Sequence, residues 1–207
     1  MKIIGLCGGS GSGKGTVCEL FSLYAIPSVD TDKVYRDLTA FRSPCLDALV
    51  SEFGENILTP LGSLDRSKLR LAVFGGQDAD KRRRRLNEIT HKHILDKTRE
   101  ILAEYDKEGR AFAIVDAPLL FESGFDKECD FIIAVTAHPE QRVLRIVKRD
   151  GLSPEAARAR IASQISDEEL SRRSDYVITN NGDIEELKEK VLSVVTDLNK
   201  KRGKNNE

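Results

Sequence analysis

A glycine-dense stretch directly behind the first apolar run leaves this chain few folds to choose from. After Lys2–Cys7 (KIIGLC) come Gly8-Gly9-Ser10-Gly11-Ser12-Gly13-Lys14-Gly15, five glycines in eight residues, and a helical pattern (Val17, Leu20, Phe21) begins at once. Glycine adopts backbone angles closed to other residues, so such a turn can converge successive N–H groups on one anion, and the helix behind it adds the positive end of its dipole. The same glycines raise the entropy lost on folding, which a turn without a ligand would leave uncompensated. The spacing satisfies G-x-x-x-x-G-K. It predicts that Gly9, Gly11, Ser12, Gly13, Lys14, Gly15 and Thr16 hold a nucleotide's phosphates, with Lys14 reaching the terminal ones. The pattern then asks for a Ser or Thr hydroxyl to ligate Mg²⁺. Here that position is Gly15, so Thr16 and an acidic residue elsewhere, partly through water, become the candidates.

Four more short apolar runs follow: Ile26–Asp30, Phe112–Asp116, Phe131–Thr136 and Tyr176–Thr179. Apolar on successive residues, they suit strands buried on both faces of a parallel sheet, which implies an α/β architecture with helices on both sides. Between the second and third runs lie helical patterns at Cys45–Phe53, Ser67–Phe74 and Arg83–Tyr105, broken by Pro60, Gly62 and Gly75-Gly76, which read as a helical insertion. A second insertion is expected at Glu140–Arg149 and from Ser153-Pro154, an N-cap followed by a first-turn proline. The last helix, from about Asp183, carries Ile184, Leu187, Val191, Val194, Val195 and Leu198 on one stripe, with fraying expected beyond Lys200.

With 207 residues the chain is long enough to bury about 70% of its unfolded surface. No apolar run approaches the ~20 residues of a membrane span, and the N-terminus lacks the pattern of a secretory signal, so a cytoplasmic protein is expected. Cys7, Cys18, Cys45 and Cys129 are scattered without metal-ligand spacing and read as reduced thiols. The formal net charge is −1, so any anionic partner must be met by a local patch.

The carboxyl ends of parallel strands are where ligands bind, and acids fall there. Asp32 follows the second strand as VDTD. It is either a carboxylate at the transferred phosphoryl or a helix N-cap, a role open to Asp30 and Thr31 as well. Asp116 closes the third strand as a metal ligand or a strand-end turn. Arg142, Arg145 and Arg149 share one helix face, and residues 142–160 hold six basic against two acidic side chains. A lid contributing arginines to ATP and a solvated helix face both fit this pattern, with Arg149 or Arg145 as the expected contact. Lys81-Arg82-Arg83-Arg84-Arg85 wraps round a helix start. It reads as solvated surface as readily as an anionic-substrate patch, and less well as a nucleic-acid patch because no aromatics interleave with it.

The stretches GLCGGSGSGKGTV (Gly5–Val17), VDTDKVYR (Val29–Arg36), VDAPLLFESG (Val115–Gly124), QRVLRIVKRDGLS (Gln141–Ser153), RIASQ (Arg160–Gln164) and DYVITNNG (Asp175–Gly182) together resemble the dephospho-CoA kinases. These are P-loop kinases of the nucleoside-monophosphate-kinase type. FGENIL, LDRSKLRLAVF and LNEITH extend the likeness through residues 53–91. The resemblance implies a P-loop NTPase parallel sheet formed by 1–38, 108–141 and 166–207, a helical CoA-substrate insertion at 39–107, and a lid at 142–165. It implies ATP and Mg²⁺-dependent phosphorylation of the ribose 3′-hydroxyl of dephospho-CoA, with Asp32 at the transferred phosphate and the acceptor beside Asp116, Leu119, Glu122 and His91. Asn181-Gly182 resembles the family's adenine-side contact. Gly15 departs from the usual Ser, Lys92 from the usual Pro after His91, and Ser174 from a common Ala.

The mechanism expected is direct in-line transfer, with Lys14 and the loop amides on the phosphates and Asp32 on the acceptor hydroxyl. Two alternatives stay open: a kinase of this fold acting on AMP, UMP or another small acceptor, and a nucleotide-dependent nucleic-acid-binding protein using the 81–85 run. The first is separated by an acceptor panel, the second by salt-sensitive nucleic-acid binding without turnover.

Overall fold

The computed structural model describes residues 1–75 and 78–204. In chain order the elements are β1 (Lys2–Cys7), α1 (Lys14–Ser22), β2 (Ser28–Asp30), α2 (Thr31–Ala40), α3 (Pro44–Phe53), α4 (Arg66–Phe74) and α5 (Ala79–Lys107). They continue with β3 (Phe112–Asp116), β4 (Phe131–Thr136), α6 (Pro139–Asp150), α7 (Pro154–Ala162), α8 (Asp167–Arg172), β5 (Tyr176–Thr179) and α9 (Ile184–Lys204). The sheet runs β2-β3-β1-β4-β5, and β1 pairs in parallel with both β3 and β4 while β4 pairs in parallel with β5. This is the expected α/β sheet. It puts β1, and the loop that leaves it, at the centre. By contacts the chain divides into two compact units, Met1–Val29 with the described residues from Tyr105 onward, and Asp30–Glu104. The division places α2 with the helical segment, nine residues ahead of the expected boundary after residue 38.

In the first unit, Ile4, Leu6, Ile114, Ile133, Val135 and Ile178 send side chains to one face of the sheet. They bury against Val17 and Phe21 of α1 and Leu187, Val191 and Leu198 of α9. The alternate residues face the other way, and there space is short. A Cβ on Gly5 would stand 2.8 Å from Leu120 Cδ2 and 2.9 Å from Cys129 Sγ, so glycine lets the segment after β3 close directly on the central strand. Ile184, expected on the buried stripe of α9, is instead exposed, because at the first helical position it precedes the turn that reaches the sheet. The helix continues through Lys204, past the expected fraying point.

The second unit has its own core. Cys45, Leu46 and Leu49 of α3, Leu69 and Val73 of α4 and Ile89 of α5 are buried together with Ile57 and Leu64. Side chains cap these helices where the sequence carries Ser or Asp: Ser43 accepts from Leu46 N (3.1 Å) and Asp65 from Ser67 N (3.0 Å) and Lys68 N (3.1 Å). Gly75 ends α4, its N–H donating to Leu71 O at 2.9 Å, while Gly76 lies outside the described residues. α5 starts four residues before the predicted Arg83, since its first turn is polar and shows no apolar period. The basic run there is largely engaged: Arg85 binds Glu52 and Glu88, Arg83 binds Asp80, and Arg82 donates to Val73 O and Gly75 O.

Candidate active site

The loop between β1 and α1 forms the anion cradle that its glycines allow. Gly11 (φ 77°) and Gly13 (φ 99°) are left-handed. At Gly11 an added Cβ would come within 2.6 Å of Arg142 O, so both the angle and the space demand glycine. Gly13 is the N-cap of α1 and supplies no side-chain acceptor, so among the described residues no side chain caps this helix start. Inside the loop the Ser12 hydroxyl is fully buried and has no hydrogen-bond partner among the described residues. Lys14 folds back along the loop: Nζ donates to Gly8 O at 3.0 Å and stands 4.0 Å from Asp116 Oδ1 at the end of β3. A bare helix start, an unpartnered hydroxyl and an ammonium held over the turn suit a polyphosphate.

The back of the loop is held by its carbonyls. Arg142, only 4% exposed, donates Nε to Ser10 O (3.0 Å) and Nη1 to Asp167 Oδ1 (2.8 Å), with Nη2 3.4 Å from Gln164 Oε1. Arg145 donates to Gly11 O (3.2 Å), Ser12 O (3.3 Å) and Asn180 O (3.0 Å). The buried Asn180 amide donates to Ser12 O at 2.9 Å, and Gln164 accepts from Ser10 N at 2.8 Å while reaching Ser10 Oγ at 3.2 Å. Four side chains from α6, the α7–α8 link and the end of β5 thus fix the direction of the peptide planes. Gln164, Asp167 and Asn180 were not picked out from sequence. Gln164 was visible only as the last letter of RIASQ and Asn180 only as the neighbour of a more conspicuous asparagine. Asn181 itself accepts from His138 N (2.7 Å) and, through its carbonyl, from Gln141 Nε2 (3.0 Å), which ties the start of α6. Arg149, the third arginine of the stripe, pairs with Asp150, whose other oxygen also binds Arg160.

Asp30 is the N-cap of α2, accepting from Lys33 N at 2.9 Å and pairing with Arg36 at 3.4 Å, so the capping role falls to it rather than to Asp32. Asp32 lies exposed in the first turn of α2, and its carboxylate makes no hydrogen bond or ion pair with the described residues. In the segment after Asp116, Leu120 is buried and Phe121 lies 3.7 Å beneath the Arg173 guanidinium. Those two anchors leave Leu119 and Glu122 exposed. His91 is half-buried on α5 in the second unit. Cys7, below the loop, has its thiol pushed up by burial, with Ser174 Oγ at 3.7 Å partly offsetting this, and is inert at neutral pH.

Among the described residues no group of three or more His, Cys, Asp or Glu could hold a metal by itself. Mg²⁺ is commonly held by one or two carboxylates with phosphates and water making up the shell. Asp116, whose Oδ1 stands 4.0 Å from Lys14 Nζ, is a carboxylate of that kind beside the loop, and Thr16 lies in the first turn of α1.

A family model described as dephospho-CoA kinase matches residues 2–186. A dephospho-CoA kinase of Corynebacterium glutamicum is 37% identical over 198 residues, covering 96% of this chain and 98% of its own. The solved structure of a dephospho-CoA kinase from Campylobacter jejuni superimposes with a TM-score of 0.70 at 29% identity, covering 97% of this chain and 98% of that one. A shikimate kinase from Acinetobacter baumannii shares the fold alone, with a TM-score of 0.55 at 17% identity over 95% and 94% of the two chains.

Proposed function

The chain belongs to the dephospho-CoA kinase family, and from that premise we propose that it transfers the γ-phosphoryl group of ATP to the ribose 3′-hydroxyl of dephospho-CoA, giving CoA and ADP in the cytoplasm. The observation that carries this reading is the loop held from behind. With Arg142, Arg145 and Asn180 on its carbonyls, and the Ser10 and Ser12 N–H groups donating to Gln164 and to Gly9 O, the N–H groups at the start of α1 and Lys14 are left for the phosphates. Arg142 and Arg145 are accordingly positioning residues for the cradle. Lys14, already within reach of Asp116, moves its ammonium onto the β- and γ-phosphate oxygens. In the transfer the acceptor oxygen bonds to the γ-phosphorus while the bond to the β-bridging oxygen breaks. ADP leaves with that electron pair, and the hydroxyl proton passes to Asp32. Asp116 and Thr16 would hold a Mg²⁺ that came with the nucleotide, which would supply neutralisation of phosphate charge. Little covalent chemistry is asked of the protein, so rate comes from placement and charge compensation.

The test is an assay of ADP release with ATP, Mg²⁺ and either dephospho-CoA or a panel of AMP, UMP and other small alcohols, with the product identified. Rapid turnover with dephospho-CoA alone, and a 3′-phosphorylated product, is the expected result. Preferential turnover of a nucleoside monophosphate would overturn the acceptor assignment.

A further inference from the structure

We propose that the groove along α2, rimmed by Lys33, Arg36 and Arg66, seats the diphosphate of the acceptor. This rests on the reading of Asp32 as the group that takes the acceptor's proton. The groove measures about 800 Å³ and lies wholly within the second unit. Its wall is built rather than incidental: Leu64 N donates to Thr39 O at 3.0 Å, and the Thr59 and Ser63 hydroxyls pair at 2.8 Å. These bonds lock the turn before α4 against α2.

Its cations are available. The Lys33 ammonium pairs with no carboxylate among the described residues. Arg36 holds Asp30 at 3.4 Å through one nitrogen and leaves the rest of its fork open. Arg66 lies 5.8 Å over the Tyr35 ring, a contact that positions a guanidinium without neutralising it. Two acids also line the groove: Asp65 is committed to capping α4 and to Lys68, and Asp37 is exposed, so three cations face one uncommitted carboxylate. A planar arginine fork beside an ammonium suits two linked phosphates, which present adjacent anionic oxygens. The other basic groove of this unit, near Glu52 and Arg85, suits them less well because Arg85 is already bonded to two carboxylates.

The register along the helix suits this ligand. Asp32 and Arg36 are i and i+4 on α2, neighbours separated by about one 5.4 Å turn. In dephospho-CoA one ribose carries the accepting 3′-hydroxyl and, through its 5′-carbon, the diphosphate. A single sugar ring therefore separates the two groups, as a single turn separates the two side chains. α2 would read both ends of that ribose.

The experiment uses the full chain with Lys33→Gln, Arg36→Gln and Arg36→Lys, measuring kcat, KM for dephospho-CoA and KM for ATP, together with inhibition by inorganic pyrophosphate. The expected result is a KM for dephospho-CoA raised about tenfold in each Gln variant, with kcat within about threefold and KM for ATP unchanged. Pyrophosphate should compete with dephospho-CoA in the wild type, more weakly in the Gln variants, and Arg36→Lys should recover most of the loss. A KM for dephospho-CoA within twofold of wild type in both Gln variants overturns the proposal, as does an equal rise for ATP. Lys33→Gln disturbs no ion pair, so it keeps the test open should Arg36→Gln loosen the α2 cap. A wild-type protein that ignores dephospho-CoA would sink the functional reading itself, whereas normal wild-type turnover with indifferent variants would sink only the diphosphate seat.

Discussion

Asp32 has an exposed carboxylate without a partner among the described residues, so its replacement bears on chemistry rather than stability. Asp32→Asn is expected to lower kcat at least a hundredfold while leaving the thermal midpoint within about 1 °C, read by steady-state kinetics and calorimetry. Near-normal kcat would reject the proton-acceptor role. Gly15 is the converse case. It sits in the first turn of α1 without a positive φ, and an added Cβ would meet nothing within 4 Å. Gly15→Ser is therefore expected to fold, to gain about 0.5 kcal/mol from reduced unfolded-state freedom, and to reach half-maximal rate at lower Mg²⁺. An unchanged Mg²⁺ dependence would separate this loop from its Ser-containing relatives. Cys129 ties protonation to folding. Burial first, then the nearby Asp126, pushes its thiol from 9.0 up to about 12. The folded state thus keeps the proton that the unfolded chain releases above pH 9.0, so this contribution is intact below that value and is lost as pH climbs toward about 12. Cys129→Ala should lose less stability than wild type between pH 8.5 and 10.5 in urea titrations, and parallel losses would remove the thiol as a cause.

Among the elements, α6 is tied to the loop and to α8 through one buried guanidinium, that of Arg142. Asp167→Asn leaves Arg142 without its carboxylate. The expected cost is about 2 kcal/mol by chemical denaturation, below the range for a fully buried pair because Asp167 is 27% exposed. KM for ATP should rise with it, and an unchanged KM would mean the loop keeps its shape without the pair. Strands β1, β3, β4 and β5 were legible to the residue, because runs of β-branched and aliphatic residues bounded by polar ones leave little choice for a strand covered on both faces. β2 is shorter than its apolar run suggested, starting at Ser28, since Pro27 contributes a carbonyl to Ile114 N but has no N–H of its own to pair. The arginine stripe was legible as a stripe. Its partners were not, because Arg142 meets Ser10 across 132 residues and Asn180 meets Ser12 across 168, and local spacing carries no information about such contacts. Asn181, the residue of the adenine-side expectation, holds the start of α6, and its neighbour Asn180 is buried against the loop.

At the scale of the molecule, the two compact units have separate cores, one spread over the sheet and one gathered by α3, α4 and α5. Leu49 is wholly buried in the second core. Leu49→Ala should cost about 3 kcal/mol, and hydrogen exchange should show the loss of protection concentrated in Asp30–Glu104. Uniform loss across both units would instead indicate a single cooperative body. The loop belongs entirely to the first unit, and its grips come from chain segments scattered through that unit's second half. A nucleotide arriving there meets a seat cut in advance. It need not recruit and freeze a wandering strand of glycines, so the free energy of its contacts emerges as affinity instead of being consumed in ordering the host. The entropy that glycine forfeits has been settled during folding, before any visitor arrives.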